Sequence, residues 1–352
     1  MNNFILERSM YYYFNLLDDK EKSLYKTFLH AVLNMKAKLK ITEPFTSKQI
    51  EKISNYVIND KPDIFWYRGR LTLSSVNNVI VELEFHYTYD NNQVNNIIRN
   101  IENCAYYKMI NEQLKVLKSD FEKALKLYEL IIKNSEYEKR AITIGGPDYN
   151  YAYGLEGILL KHRAVCAGYA KTFQYFANKH NIRTTIVTGY AKNERHAWNL
   201  IDLYGEYYYI DATWGDPTFS DDVKKDTDYI IYDFFCFDTA KLEVSHKPVL
   251  DTPMPRCTAT KYNYYEFFDM VDTYYSIERV AQHILNTLKK GENKVVIKYE
   301  TQLAYQTAVE KLFVKSEVFD AIKLAGNYAK GLKVAEIRYI EDPECRMVTI
   351  CL

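Results

Sequence analysis

The chain has 352 residues, with 46 basic and 46 acidic side chains and a formal net charge of +0. That length supports two or three domains around a large buried core, and the balanced charge, with no long basic run, argues against a polynucleotide partner. No apolar stretch is long enough to cross a membrane, and Glu7 and Arg8 interrupt the N-terminal apolar residues too early for the core of a signal peptide.

The six cysteines (Cys104, Cys166, Cys236, Cys257, Cys345 and Cys351) are scattered, with no CxxC pair. This is not a disulfide scaffold, and a soluble, cytoplasmic protein is expected. Aromatic residues make up 15% of the chain, including 33 tyrosines. Clusters such as Tyr11 to Tyr13 and Tyr207 to Tyr209 fit either a groove for peptide or sugar or a tyrosine-heavy core and sheet surface.

In chain order, residues 18 to 38 and 47 to 59 read as helices, the second capped by Thr46 or Ser47. Segments 70 to 75 and 79 to 89 alternate as strands around Asn77-Asn78, a hairpin signal. One long helical stretch is predicted from about Asn91 to Lys139. Within it Leu114, Leu117, Phe121, Ala124, Tyr128 and Ile131 form a single apolar stripe. Gly145-Gly146-Pro147 then starts an irregular, tyrosine-rich loop leading to Leu155.

A helix beginning at Cys166 follows, then strands over 183 to 190, 196 to 203 and 206 to 213. SDDVKKDTD reads as a surface loop and PMPRC (253 to 257) as a linker. The last ninety residues read as a strand (293 to 299), two helices (301 to 314 and 317 to 329) and a strand pair (332 to 340 and 346 to 352) turning at Glu341-Asp342-Pro343. No internal repeat, glycine-rich phosphate loop, HExxH or EF-hand pattern is present.

Cys166 shares a helical face with Ala170, Phe173 and Ala177, so it belongs to the first turn of a partly buried helix. A thiol there feels the positive end of the helix dipole, and the unpaired N–H groups of that turn could hold an oxyanion. On its own such a cysteine is more often an inert core residue.

The tight turn near Tyr204-Gly205-Glu206 changes the weighing. Turning at Tyr204-Gly205 pairs Leu203 with Glu206 and Trp198 with Asp211; turning at Gly205-Glu206 pairs Leu200 with Asp211. In either register His196, Trp198 and Asp211 share one face, so a carboxylate can orient an imidazole opposite a helix-start thiol. Trp198 and Trp214 flank the pair and would exclude water. Gly168 and Gly189 are expected to allow close packing of helix on sheet.

The ordered segments VCAGYAKTF, HAWN and YYIDATWGDP resemble the transglutaminase-like superfamily of papain-like cysteine enzymes, as do SDFEKALKLYELIIKNSEYE and YAYGLEGILLKHRAVC upstream. The resemblance covers roughly residues 115 to 217. It implies Cys166 as nucleophile, His196 as general base and acid, and Asp211 as the residue orienting His196. Tyr128-Glu129 stand where the family often has a His-Asp pair. For the family's upstream oxyanion donor, Tyr153 and Tyr149 are the candidates.

The fold expected is α+β: an N-terminal helix-plus-hairpin region (1–110), a papain/transglutaminase-like core with the nucleophile helix on an antiparallel sheet (111–260), and a small C-terminal α+β domain (261–352). The activity expected is acyl transfer at amide bonds through a thioester, with a peptide or protein substrate and no cofactor. Bacterial members of the family lean towards hydrolysis; cross-linking through a lysine amine is the alternative. A non-catalytic module binding peptide or wall polymer is the second alternative.

No metal is expected. His162 and His180 are not spaced as a zinc-ligand pair with Cys166 and His196. Asp216, Asp221, Asp222 and Asp226 lack a calcium-loop pattern and are expected to be solvated loop acids.

Overall fold

The computed structural model describes residues 11–216, 230–249, 253–326 and 337–352. These form a mixed α+β structure with two compact units, Met1–Ala259 and Thr260–Leu352. The stretches expected as an N-terminal region and a core, 1–110 and 111–260, lie almost entirely within the first unit. The SDDVKKDTD segment, with Asp221, Asp222 and Asp226, falls outside the described residues.

In the first unit, helices Asp19–Leu33 and Ser47–Asp60 pack on a three-stranded antiparallel sheet of Lys38–Lys40, Tyr67–Val76 and Val79–Tyr87. Thr46 and Gln49 form a reciprocal capping box that starts the second helix, as its sequence predicts. Asn77 and Asn78 both take positive φ (51° and 62°), the conformation of a tight hairpin turn. Phe28, Ile50, Ile53, Val57, Tyr67 and Leu83 fill the core between helices and sheet. Among the long-range bonds that fasten this layer to the rest of the unit, the Tyr13 hydroxyl donates to the Ile186 carbonyl (2.5 Å), and Gln174 Nε2 to that of Asn59 (2.7 Å).

The long helix expected from Asn91 to Lys139 is three helices, Asn91–Asn103, Ala105–Lys115 and Asp120–Lys133. Cys104 adopts an extended backbone (φ −62°, ψ 132°) and breaks the first from the second. Ser119 and Glu122 close a capping box that starts the third. Apolar periodicity continues across such a break, so a stripe alone does not reveal it. A short strand, Glu136–Tyr137, then pairs in parallel with Arg163–Ala164, just before Cys166.

The helix Cys166–Lys179 packs on a four-stranded antiparallel sheet ordered Glu206–Ile210, Glu194–Leu203, Thr184–Ala191, His246–Pro248. Tyr204 (φ 59°) and Gly205 (φ 90°) form the turn, and Leu203 pairs with Glu206. That is the Tyr204-Gly205 register of the two weighed from sequence. The last of these strands stops at Ile210, short of the 213 expected.

The second unit has its own core. Helix Ile277–Lys289 contributes Val280 and Ile284, strand Lys294–Tyr299 contributes Val295 and Ile297, and strand Met347–Cys351 contributes Val348 and Ile350. Its sheet runs Val271–Asp272, Lys294–Tyr299, Met347–Cys351, Arg338–Asp342, the first pair parallel. The helix Ile277–Lys289 was not read from the sequence, although Ser276 caps it.

Candidate active site

Cys166 opens its helix behind Val165, which supplies no side-chain cap. The N-cap side chain therefore consumes none of the first-turn amides, and the side chain that meets them comes from elsewhere in the chain. The Cys166 amide donates to the phenol of Tyr137, held nearby because strand Glu136–Tyr137 pairs with the residues immediately before the helix. Burial, followed by the proximity of Cys166, pushes the Tyr137 phenol up. Cys166 itself is only partly buried, packed against Ala170, Ile186 and Ala197.

Across from it, strand Glu194–Leu203 carries His196, buried to 7% exposure. Its Nε2 lies 2.7 Å from Oδ2 of Asp211. That leaves Nδ1 for the Cys166 sulfur, which is within hydrogen-bonding reach of the ring. Burial pulls the imidazole down, but the Asp211 charge, its hydrogen bond and the thiol together outweigh this and raise it to about 10.

Asp211 follows the last core strand, in a turn rather than in the ladder. Its Oδ1 accepts from the amides of Thr213 (2.9 Å) and Trp214 (3.1 Å). Burial works against its charge, yet the two imidazoles beside it hold the carboxyl well below the usual carboxylate range. The second imidazole is His246, whose Nε2 lies 3.1 Å from the same Oδ2.

His246 was not singled out by sequence reasoning. It lies far along the chain beyond Asp211, outside the three motifs, and reaches the site because His246–Pro248 pairs with Thr184–Ala191 at the sheet edge. The donor atoms of His196, Asp211 and His246 all lie within 4.8 Å of one another, a spacing close enough for a cation. Oδ1 accepts from two backbone N–H groups and Oδ2 lies within hydrogen-bonding distance of both ring nitrogens, so both oxygens of the carboxylate are already engaged.

The tryptophans expected to flank the pair do so: the rings of Trp198 and Trp214 each lie 6.0 Å from that of His196. The upstream tyrosines are turned elsewhere. Tyr153 donates to the Ala141 carbonyl (3.1 Å) beneath the Arg68 guanidinium, and Tyr149 lies under Arg140. Tyr137 is the tyrosine at the Cys166 amide, and its placement depends on a parallel two-residue pairing that leaves no sequence signal.

Other expectations resolve as packing. Tyr128 is buried and donates to the Ile231 carbonyl (2.7 Å), while Glu129 Oε1 accepts from the Tyr232 hydroxyl (2.8 Å). Asp216, expected as a solvated acid, is buried and accepts from the Tyr169 hydroxyl at 2.6 Å. Gly168 serves close packing, but against the segment upstream of its helix and not the antiparallel sheet: an added Cβ would sit 2.6 Å from that of Ala164 and 2.7 Å from the Ala152 carbonyl oxygen. Gly189 instead faces the neighbouring strand, with Lys247 O 2.1 Å from where its Cβ would be. His162 bonds the Asn134 carbonyl, and His180 ends the Cys166 helix.

A helix-start thiol facing an imidazole–carboxylate pair on an antiparallel sheet defines a transglutaminase-like core. Residues 108–212 match the model of the Transglutaminase-like superfamily, and the chain carries a domain of that superfamily. It is 25% identical over 120 residues to the mouse (Mus musculus) kyphoscoliosis peptidase, a match covering 31% of this chain and 18% of that protein. The chain therefore spans under a fifth of that relative's length. Among solved structures it is similar to a TGase at TM-score 0.30 and 14% identity, over 53% of this chain and 52% of the other. It is also similar to a protein of Cytophaga hutchinsonii provisionally assigned as a cysteine protease, at TM-score 0.25 and 14% identity, over 54% and 78% of the two chains.

Proposed function

We propose that the chain is a cysteine-dependent enzyme that transfers acyl groups at amide bonds of a peptide or protein, with water as the acceptor. The observation that carries this reading is the unbroken line from the Cys166 sulfur through the His196 ring to Asp211 Oδ2, closed by the 2.7 Å bond. An imidazolium beside a thiol favours the thiolate, the form that attacks carbonyl carbon.

The Cys166 thiolate adds to the amide carbonyl, and the oxyanion that develops replaces the Tyr137 phenol oxygen as acceptor of the Cys166 amide, with the displaced Tyr137 hydroxyl as a second donor. His196 gives its proton to the leaving nitrogen as the C–N bond breaks, leaving a thioester. Water then attacks with His196 as base, and the returning proton releases the acid and restores the thiol. Asp211 keeps one orientation of the ring throughout, because its Oδ1 is fixed by the Thr213 and Trp214 amides.

Hydrolysis draws support from the peptidase named among the relatives. A lysine amine in place of water would give cross-linking through the same thioester. The test is intact mass of the protein after incubation with a peptide library and a labelled primary amine. A transient adduct on Cys166 with release of shortened peptides is expected; labelled peptide in their place would convert the assignment to cross-linking. Iodoacetamide mapping at neutral pH supplies the control. Cys166 should react ahead of Cys104, Cys345 and Cys351, and equal reactivity would remove the nucleophile assignment.

A further inference from the structure

We propose that His246 is a positioning residue that fixes Asp211 by donating to the same carboxylate oxygen as His196. This rests on the thiol–imidazole reading above and adds a fourth side chain to it. Asp211 Oδ2 lies 2.7 Å from His196 Nε2 and 3.1 Å from His246 Nε2. A carboxylate has no proton to give, so each of these nitrogens must carry one. In His246 that assigns the remaining nitrogen, Nδ1, as an acceptor, and the Ser245 hydroxyl lies 2.7 Å from it. The proton order therefore runs from Ser245 into His246, from His246 into Asp211, and from His196 into the same oxygen.

Two donors on Oδ2 and two on Oδ1 leave the carboxylate no rotation that keeps its bonds. A shared acceptor between two rings is unnecessary for charge, since one imidazolium suffices; what the second ring adds is direction. The His246 ring is itself clamped, 4.6 Å from the ring of Trp214 and 4.9 Å from that of Trp198, with Phe237 at 5.9 Å. It is 1% exposed.

Four titratable or charged neighbours stand out among the described residues. Asp211 and His196 meet it directly; Lys192 lies beyond Trp214, 5.2 Å from that ring; and Lys241, paired with Asp233, lies beyond Phe234. A carboxylate released on one side would let the His196 ring tilt away from the sulfur, and misplacements of this kind cost about 10²-fold in rate.

The test reads Cys166 alone and needs no substrate. Iodoacetamide alkylation of Cys166 is followed against pH in the full chain, in His246→Leu, in His246→Gln and in His196→Ala. The leucine keeps the apolar bulk without the donor, while the glutamine amide can still reach Asp211. The expected outcome is a neutral-range rate lower by up to about 10²-fold in His246→Leu, with its profile displaced, and recovery in His246→Gln.

Wild-type and His246→Leu profiles that superimpose, while His196→Ala differs, would overturn the role of His246 and leave the thiol reading standing. A His196→Ala profile identical to wild type would instead remove the thiol reading itself. Should His246→Leu lose its fold by circular dichroism, long-range ¹⁵N–¹H spectra of the histidine-labelled wild-type protein decide. The proposal requires a protonated Nε2 and bare Nδ1 in His246; the opposite tautomer overturns it.

Discussion

His196 Nε2 and Asp211 Oδ2 stand 2.7 Å apart in a site where each is almost wholly buried, at 7% and 1% exposure. In such surroundings a lone charge is costly, and the pair persists charged because each member offsets the desolvation of the other. The imidazole is raised from 6.5 to about 10 and the carboxyl is depressed.

The sign of the resulting pH dependence follows from those directions. A raised imidazole contributes stability that is complete below its ordinary 6.5 and is lost as pH climbs through about 10. A depressed carboxyl contributes above its ordinary value and loses that only in acid. A histidine NMR titration should place the His196 midpoint near 10 in the wild type and far lower in Asp211→Asn, where burial is no longer outweighed by the carboxylate. A wild-type midpoint at the ordinary value would remove the ion pair. Turnover in Asp211→Asn should fall by about 10²- to 10⁴-fold, the range of general acid–base contributions.

Tyr137 gives a separate expectation. If its hydroxyl shares the developing oxyanion with the Cys166 amide, Tyr137→Phe slows acylation by about 10²-fold, the usual cost of one such donor. Substrate binding should change far less, so the loss appears in kcat. The opposite outcome is equally readable: a faster Tyr137→Phe enzyme would mean that the phenol occupies the oxyanion position and must leave before substrate enters.

The C-terminal unit is expected to stand on its own. Buried Val280, Ile284, Val295, Ile297, Tyr299, Val348 and Ile350 form a core within Thr260–Leu352. Asp272 is bonded there by Arg279 Nε (2.8 Å) and His283 Nε2 (3.1 Å). The isolated fragment 260–352 should unfold cooperatively in denaturant. Asp272→Ala should lower its stability by about 2–4 kcal/mol, since it strands two donors around a buried carboxylate site. A featureless transition in the fragment would show that its core needs the preceding residues.

How far the chain announced this arrangement differs from residue to residue. Cys166, His196 and Asp211 were legible because helix phase and the Tyr204-Gly205 turn are local signals, and local signals fix which faces meet. The breaks at Cys104 and Ser119 went unread inside one apolar stripe, although Ser119 and Glu122 do spell a capping box. Tyr137 and His246 were illegible for a different reason. Each is delivered by a strand of two or three residues whose partner is distant in sequence, and pairings that short carry no periodicity.

Gly189 ties the strands of His196 and His246 together and supplies the last expectation. It pairs with His196 on one side and with Pro248 on the other, so it lies between the strands bearing both imidazoles. A methyl group there would meet Lys247 O at 2.1 Å, and that atom is backbone, unable to swing aside. Gly189→Ala should therefore push His246–Pro248 outward, at a cost of about 1–3 kcal/mol in denaturant midpoint experiments. Displacing that strand carries His246 away from Asp211, so the substitution should also reproduce the altered Cys166 alkylation profile of His246→Leu. A destabilised Gly189→Ala protein with a wild-type profile would mean that the strand moves without loosening the carboxylate, and the link from sheet edge to thiol would be broken.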